Sequence, residues 1–296
     1  MKRISSLLAV VLSAAGFWSP AVSAQSLPTF ENFLAALPAQ AVPAPLPPYR
    51  VQPQYLAQAA SLTGERLFQY LHAATDYPTA GTGTDYLKAK KYMFSVADNT
   101  GCGGRPGVVA FYSQVCVPGS GEHGGSYKES GDANGDGYYD SDGMNAEHTW
   151  PQGYFNKAAP MKSDLHHLFP TFIMVNGKRG NEPFGEVSAP DYATLSGSRL
   201  GYEGFEPCDA VKGDVARAML YFFTRYHDRD IRDGMDYGNF WTSRVGLFLE
   251  WNRQDPPDAD ERRRNDLIEA FQGNRNPFVD DPRLAEKIGA KVFQSH

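Results

Sequence analysis

Glu147 and His148 are adjacent in the segment MNAEHTWPQGYF, and together they offer two kinds of chemistry. A histidine can accept a proton near neutral pH, and a glutamate supplies the hard oxygen that Mg²⁺ and Ca²⁺ prefer. Hydrolysis of a phosphodiester needs both, a base for the water and a cation on the phosphate. Adjacent side chains of a regular strand point to opposite faces, so both reach one phosphate only if the backbone bends near Trp150-Pro151. By itself the dipeptide is more typical of an exposed glutamate beside a half-buried histidine.

A second metal site is indicated by the acidic segment DANGDGYYDSDG, which has the spacing of an EF-hand loop. The glutamate that closes such a loop is missing, and Asp142 stands one residue before its position. Closely spaced carboxylates repel one another unless a cation lies between them. We therefore favour a structural Ca²⁺ over a solvated acidic loop. The expected ligands are Asp132, Asn134, Asp136, Tyr138, Asp140 and Asp142.

Four pieces of the sequence, NAEHTWPQ, DLHHLFP, VNGKRGN and QGNRNPF, occur in this order between Ser61 and Pro282. Together they resemble the bacterial endonuclease I family, which consists of secreted or periplasmic nucleases with a ββα-metal site. The resemblance implies that His148 is the general base and that Glu147 and Asn176 bind one hydrated Mg²⁺. It also implies products that carry 5′-phosphates.

Arg179 lies in the same VNGKRGN segment and is the candidate for holding a phosphate, because a guanidinium fits phosphate geometry. A surface salt bridge explains this arginine equally well. Relatives of the family carry a Cys-rich insertion between the EH and DLH motifs that supplies a phosphate-stabilising arginine. Only residues 149–163 intervene here, without an arginine, so the role of Arg179 is open.

The DLHHL segment offers two further histidines, His166 and His167, next to Asp164. We expect Asp164 and His166 to be structural, and a backbone carbonyl of this extended segment to orient the His148 ring. A zinc site from the three histidines is less favoured, because they lack helical ligand spacing such as HExxH. Three lysines make a local basic stretch with Arg179, namely Lys157, Lys162 and Lys178.

The N-terminal residues indicate where the protein is located. Residues 1–24 read as a secretory signal, because Lys2 and Arg3 precede a short apolar run that ends in AVSA. We therefore expect a secreted or periplasmic protein without a membrane span. Residues 25–54 are rich in Pro and Ala and read as a linker or surface segment.

The net charge of the protein is negative. Loss of the signal changes it from −6 to −8 (−6 minus 2), so nucleic acid must bind to local basic patches.

Residues 55–296 are expected to form a single helix-rich α+β nuclease domain around a ββα-metal core. The stretches GVVAFYSQVCV and SDLHHLFPTF predict a strand and an extended segment, and VNGKRGN predicts a helical turn. AEHTWP predicts a short extended piece. Helices are predicted over residues 55–75 with a restart at SLTGE, in TDYLKAKKYMFSVADN, in KGDVARAMLYFFTRYHD, and on both sides of Pro256-Pro257.

The three cysteines allow three pairings, of which we prefer Cys102 with Cys116, leaving Cys208 free.

The function that the motifs and the charge favour is a sequence-nonspecific, Mg²⁺-dependent endonuclease for DNA, with RNA as a further substrate, acting as a monomer. The main alternative is a calcium-stabilised, non-catalytic secreted surface module. Another alternative is a metallohydrolase for a different phosphoester.

Overall fold

The residues around Glu147 and His148 are held by short strands and many helices. The computed structural model of the chain describes residues 54–75, 85–119 and 143–296, which belong to one compact unit, Gln52–His296. This unit is helix-rich α+β with small antiparallel sheets, as predicted. The predicted signal peptide, the Pro/Ala-rich segment up to residue 53 and the predicted calcium loop lie outside the described residues.

The first helices confirm the helical spacing of residues 55–75. Helix α1 spans Gln54–Ala59 and α2 spans Gly64–Thr75, so the helix restarts where SLTGE predicted. Helix α3 covers Tyr86–Tyr92 and continues as a π-helical turn, Met93–Ala97. Asp85 caps α3, because its side chain accepts hydrogen bonds from the first backbone N–H groups.

A disulfide-linked hairpin follows, where one strand was predicted. The prediction of a single strand is wrong. Strand β1, Gly107–Val109, pairs antiparallel with β2, Cys116–Pro118, because the chain turns between them at Gln114, which has a positive φ of 57°. The preferred disulfide Cys102–Cys116 is confirmed, and Cys208 is a buried free thiol.

The unit that carries the candidate residues is an antiparallel pair of strands followed at once by a helix. Strand β3, Met144–His148, pairs with β4, Leu168–Phe172, and α4, Ile173–Arg179, begins at the next residue. Extended structure at AEHTWP and a helix in VNGKRGN are thereby confirmed. The start of SDLHHLF is not extended, because two 3₁₀ turns, Met161–Ser163 and Leu165–His167, precede β4.

A long buried helix, α5, contacts the residues next to β3 and β4. It spans Lys212–Tyr226 as predicted, and its Phe222 packs against Trp150 just after β3 and His167 just before β4. Trp150, just past β3, stacks on Phe222 with the ring centroids 5.1 Å apart and donates its indole N–H to the Ile231 carbonyl. Burial of such large aromatic surfaces fixes the end of β3 in the core.

The remaining elements complete the domain. A three-stranded antiparallel sheet consists of β5, Pro190–Ala193, β6, Arg199–Gly201, and β7, Gly204–Glu206. The two helices predicted around Pro256-Pro257 are α6, Val245–Gln254, and α7, Ala259–Gln272, which ends at Gly273. Three short helices follow, α8, Pro277–Asp280, α9, Arg283–Ile288, and α10, Ala290–Ser295. Within the described ranges, no helix has both the length and the hydropathy to cross a membrane.

Candidate active site

Strand β3 presents Glu147 and His148 at its carboxyl end, in regular register. Glu147 is opposite Phe169 and His148 is opposite Leu168, and the ladder continues with the Thr149 N–H donating to the His167 carbonyl at 3.1 Å. Side chains alternate along a regular strand, so the two neighbours leave on opposite faces. Their contacts agree with this, because the two side chains have separate sets of partners.

Helix α4 lies over the face of β3 that carries Glu147. The Asn176 amide donates to Asn145 Oδ1 at 2.7 Å, and Arg179 Nη1 lies 3.2 Å from Glu147 Oε1. Residues two apart on a strand and three apart on a helix each share a face, so these contacts follow from the two periodicities. Asn176 and Arg179 are distant from Glu147 in the sequence, and the structure brings both to the face of β3 that carries Glu147.

The Glu147 carboxylate is fully buried, and its two oxygens are in different situations. Oε1 accepts a hydrogen bond from the Tyr112 hydroxyl at 2.9 Å and faces the Arg179 guanidinium. Oε2 is buried and has no hydrogen-bond partner among the described residues. Burial raises the pKa of Glu147 to about 7, although the Arg179 charge and the Tyr112 hydrogen bond act to lower it.

Arg179 is itself buried and has most of its donors in use. Nη2 donates to the Thr149 carbonyl at 2.7 Å, and Nη1 donates to the carbonyls of His148 and Gly180 at 3.2 and 3.3 Å. The predicted basic stretch therefore does not form one surface with Arg179. The Arg179 residue is only 1 % exposed, whereas Lys157 and Lys178 are exposed. Phosphate binding by Arg179 stays a prediction.

His148 is held on the other face of β3 by a backbone carbonyl. Its Nε2 lies 3.0 Å from the Lys162 carbonyl oxygen. A carbonyl only accepts, so Nε2 carries the proton and Nδ1 keeps the lone pair. Tyr86 and His167 flank the ring, with centroids 5.6 and 5.4 Å away. Burial, followed by the proximity of the His167 ring, which disfavours a second protonated imidazole beside it, lowers the pKa of His148 to about 3 and leaves the imidazole neutral at physiological pH.

An orienting carbonyl was expected from the extended DLHHL segment, and its source is different. The carbonyl belongs to Lys162, because residues 161–167 coil into 3₁₀ turns that aim it at the ring. The predicted structural role of Asp164 is confirmed. Its Oδ2 accepts hydrogen bonds from three side chains of α5, namely Tyr221, Arg225 and Tyr226.

The three histidines of the less favoured zinc site point at different acceptors. His148 Nε2 faces the Lys162 carbonyl, His166 Nε2 the Asn274 carbonyl at 3.0 Å, and His167 Nε2 the Met161 carbonyl at 2.7 Å. The structural role expected for His166 is thus confirmed, since its ring joins the turn to the segment after α7.

Tyr112 and the Lys162 carbonyl contact the candidate residues directly, and sequence reasoning missed both. Tyr112 lies 35 residues before Glu147, in the hairpin turn, and no spacing in the sequence connects them. An aromatic residue in a segment read as one strand gave the only signal. A backbone carbonyl has no sequence signature at all.

The Glu147 face fits a hard divalent cation. The buried Oε2 atom, which has no partner among the residues that the structure describes, is a carboxylate oxygen that needs a positive charge or a donor. Asn176 uses its amide N–H₂ toward Asn145 and the Ala146 carbonyl, so its Oδ1 is the end left for a cation. One carboxylate and one amide oxygen suit Mg²⁺, which keeps several of its waters.

A neutral histidine that can accept a proton, next to a glutamate that can hold a divalent cation, offers the two functions that phosphodiester hydrolysis needs. The sequence model for the family described as Endonuclease I matches residues 79–283. The chain therefore belongs to the endonuclease I family, and the resemblance drawn from the four motifs is confirmed. Nucleases of this family are metal-dependent.

Individual relatives carry nuclease names. The chain is 31 % identical to an extracellular ribonuclease of Bacillus subtilis (strain 168) over 298 residues, covering 95 % of this chain and 96 % of the relative. It is 39 % identical to an extracellular ribonuclease of Bacillus amyloliquefaciens over 49 % of this chain, and spans only 53 % of that relative. A periplasmic deoxyribonuclease of Aeromonas hydrophila is 34 % identical over 43 % of this chain and 49 % of its own length.

Proposed function

We propose that this protein is a secreted or periplasmic, Mg²⁺-dependent endonuclease that hydrolyses phosphodiester bonds of DNA and RNA without sequence specificity. One observation carries the proposal: the buried Glu147 Oε2, which has no partner among residues 54–75, 85–119 and 143–296, lies on the face of β3 that Asn176 contacts through Asn145, and the next residue is a neutral, oriented histidine. In the proposed ββα-metal core, β3, β4 and α4 are the two strands and the helix.

In this proposal Glu147 and Asn176 would hold one hydrated Mg²⁺, which would supply positive charge to stabilise the negative charge that develops during phosphodiester hydrolysis. His148 accepts the proton of the attacking water at Nδ1, while its Nε2–H stays on the Lys162 carbonyl. The negative phosphate raises the low pKa of the His148 ring when the substrate binds. Attack on phosphorus breaks the bond to the 3′ oxygen and leaves 5′-phosphate products.

The opposite faces of Glu147 and His148 set where the substrate must lie. Strand β3 ends at His148, and beyond it the backbone turns toward Trp150. A phosphodiester at the end of the strand can be approached from both faces, whereas one beside the middle of the strand can be approached from only one. We therefore place the scissile bond across the carboxyl end of β3.

Arg179 has two proposed roles in this site. Its guanidinium lies against Glu147 Oε1 and opposes the desolvation that would protonate this carboxylate, so it keeps Glu147 available as a metal ligand. The prediction that Arg179 also holds a phosphate requires it to exchange one of its carbonyl partners, His148 or Gly180, for a phosphate oxygen.

Support for both nucleic acids as substrates comes from the three relatives described above, two named ribonucleases and one named a deoxyribonuclease. A small basic surface beside His148 suits the backbone that DNA and RNA share. The ammonium groups of Lys162 and Lys90 lie 4.7 and 5.1 Å from the centre of the Tyr86 ring, and this ring lies against His148.

We also propose a structural Ca²⁺ in the acidic loop, on the sequence spacing alone. The expected ligands between Asp132 and Asp142 end two residues before β3 begins at Met144. A bound ion there would restrain the chain as it enters β3. A calcium titration of wild type and Asp136→Ala tests this. The proposal fails if wild type binds no Ca²⁺, or if the variant keeps wild-type affinity, stability and activity.

The test of the function uses wild-type protein with supercoiled plasmid DNA and with a structured RNA, each in Mg²⁺, in Ca²⁺ and in EDTA. We expect cleavage of both substrates in Mg²⁺, none in EDTA, and products whose 5′ ends can be dephosphorylated by a phosphatase. If Mg²⁺ never supports cleavage of either polymer, the alternative of a calcium-stabilised, non-catalytic surface module is favoured.

A further inference from the structure

A second group of metal-ligating side chains lies between α2 and the end of α5. His72 is in the last turn of α2, and His227 and Asp228 directly follow α5. One ligand atom from each of the three residues lies within 4.8 Å of the other two. His72 Nε2 and Asp228 Oδ2 are 3.7 Å apart, close to the edge of about 3.3 Å expected for a zinc tetrahedron.

A single backbone carbonyl orients both histidine rings. Thr224 lies in the last turn of α5, where helix carbonyls have no partner within the helix. Its oxygen faces His72 Nδ1 at 2.9 Å and His227 Nδ1 at 3.3 Å. Because the carbonyl can only accept, both Nδ1 atoms carry the proton and both Nε2 atoms keep a free lone pair. A carbonyl in this position is the usual outer partner of metal-bound histidines.

The group is accessible to an ion from solvent and is packed firmly on one side. The His72 side chain is 18 % exposed and that of Asp228 is 54 % exposed. The rings of His72 and His227 meet edge to face with centroids 4.6 Å apart, and Phe68 lies 4.7 Å from His227. Asp228 has a more exposed side chain than His72, so it has room to adjust when an ion binds.

We propose that His72, His227 and Asp228 bind one Zn²⁺-class transition-metal ion, with water completing the coordination. Two imidazoles and one carboxylate form a set that suits Zn²⁺, in contrast to the all-oxygen donors of the proposed Mg²⁺ site. The ion would join α2 to the end of α5 and so stabilise the fold. The site is separate from the nuclease residues and does not depend on the proposed function.

The test measures Zn²⁺ binding by full-length protein, by calorimetry and by metal analysis after dialysis. The variants His227→Gln and Asp228→Asn each lose one ligand, and Asp230→Asn is the matched control, an exposed aspartate two residues further on. We expect wild type and Asp230→Asn to bind one more Zn²⁺ per chain than His227→Gln and Asp228→Asn do. If the two ligand variants still bind this ion, their affinity should be at least about tenfold weaker. Zinc at a hundredfold excess over its Kd should raise Tm by roughly 5–10 °C in wild type, and EDTA should reverse the rise.

Two results would overturn the zinc site. One is that wild type shows neither binding nor a Tm increase with Zn²⁺. The other is that all four proteins bind Zn²⁺ with the same stoichiometry and affinity, because the ions then lie elsewhere. Asp228 is exposed, so its variant should fold even if His227→Gln does not. Mg²⁺-dependent cleavage is measured alongside, so a failure of the nuclease proposal is recorded separately.

Discussion

Glu147 is a carboxylate in a fully buried position, and two groups keep it from being simply protonated. The Arg179 guanidinium and the Tyr112 hydroxyl both favour the charged form, while burial favours the neutral form and leaves the pKa near 7. A buried acid balanced in this way is typical of functional sites. We expect the cation to complete the balance through Oε2, the oxygen that has no hydrogen-bond partner in the described part of the chain.

The Tyr112→Phe variant tests the balance at Glu147. Loss of the hydroxyl removes a hydrogen bond to the charged carboxylate, so the pKa of Glu147 rises above about 7. Half-saturation by Mg²⁺ should then need roughly tenfold more metal at pH 7, and higher pH should restore cleavage, because the carboxylate ionises as pH increases. Tyr202→Phe is the control, since Tyr202 is fully exposed. An unchanged Mg²⁺ requirement in Tyr112→Phe would contradict this role.

At the scale of elements, the 3₁₀ turns between β3 and β4 carry the orienting contacts. They aim the Lys162 carbonyl at His148 and bury His166 and His167 against α5. These two histidines are neutral in the fold, because burial lowers the pKa of each to about 4. Site geometry and acid stability therefore depend on the same short turns.

The free energy of unfolding should fall as the pH drops from 6.5 to 4. The unfolded chain protonates His166 near pH 6.5, whereas the folded chain does so only near pH 4. Stability from this group is complete above pH 6.5 and is lost below it, by about 1.4 kcal/mol per pH unit. His166→Gln keeps a donor for the Asn274 carbonyl and removes the titration. Urea unfolding at several pH values gives the free energy of unfolding as a function of pH. Its slope should be shallower in His166→Gln than in wild type, by the equivalent of about one proton. Equal slopes in the two proteins would contradict the neutral state of His166.

The sequence predicted some elements well and others poorly, for physical reasons that differ. Apolar periodicity and Pro256-Pro257 located α5, α6 and α7, because those signals are local. The β1–β2 hairpin was read as one strand, since β-branched and aromatic residues continue through its turn. The burial of Arg179 and its contact with Glu147 depend on how α4 packs on β3, which no local pattern encodes.

At the scale of the whole molecule, an acidic protein is proposed to bind a polyanion. The full chain has a net charge of −6, so affinity has to come from local positive groups. Lys90 and Lys162 around the Tyr86 ring are such groups next to His148. The arginines of α7 contribute less, because Arg263 and Arg264 already bond to backbone oxygens and to Asp98.

Replacement of Lys90 or Lys162 by Ala should weaken substrate binding and leave the chemical step nearly intact. Lys162→Ala keeps the backbone carbonyl that orients His148, so kcat should change less than about twofold while KM rises. Each variant should reduce the slope of log affinity against log salt by roughly one. Lys287→Ala is the control, since Lys287 bonds to Ala60 at another part of the fold. Equal salt slopes in all four proteins would place the nucleic acid elsewhere.

The most direct measurement of the central claim is the single-turnover cleavage rate of His148→Ala in saturating Mg²⁺, compared with wild type and with His296→Gln. His296 contacts Glu65 and is outside both the nuclease residues and the proposed zinc ligands. With His148 as the base, we predict a rate at least about a hundredfold lower in His148→Ala, with Mg²⁺ affinity and folding preserved. His296→Gln should cleave at the wild-type rate. Cleavage by folded His148→Ala at the wild-type rate would contradict the proposed mechanism.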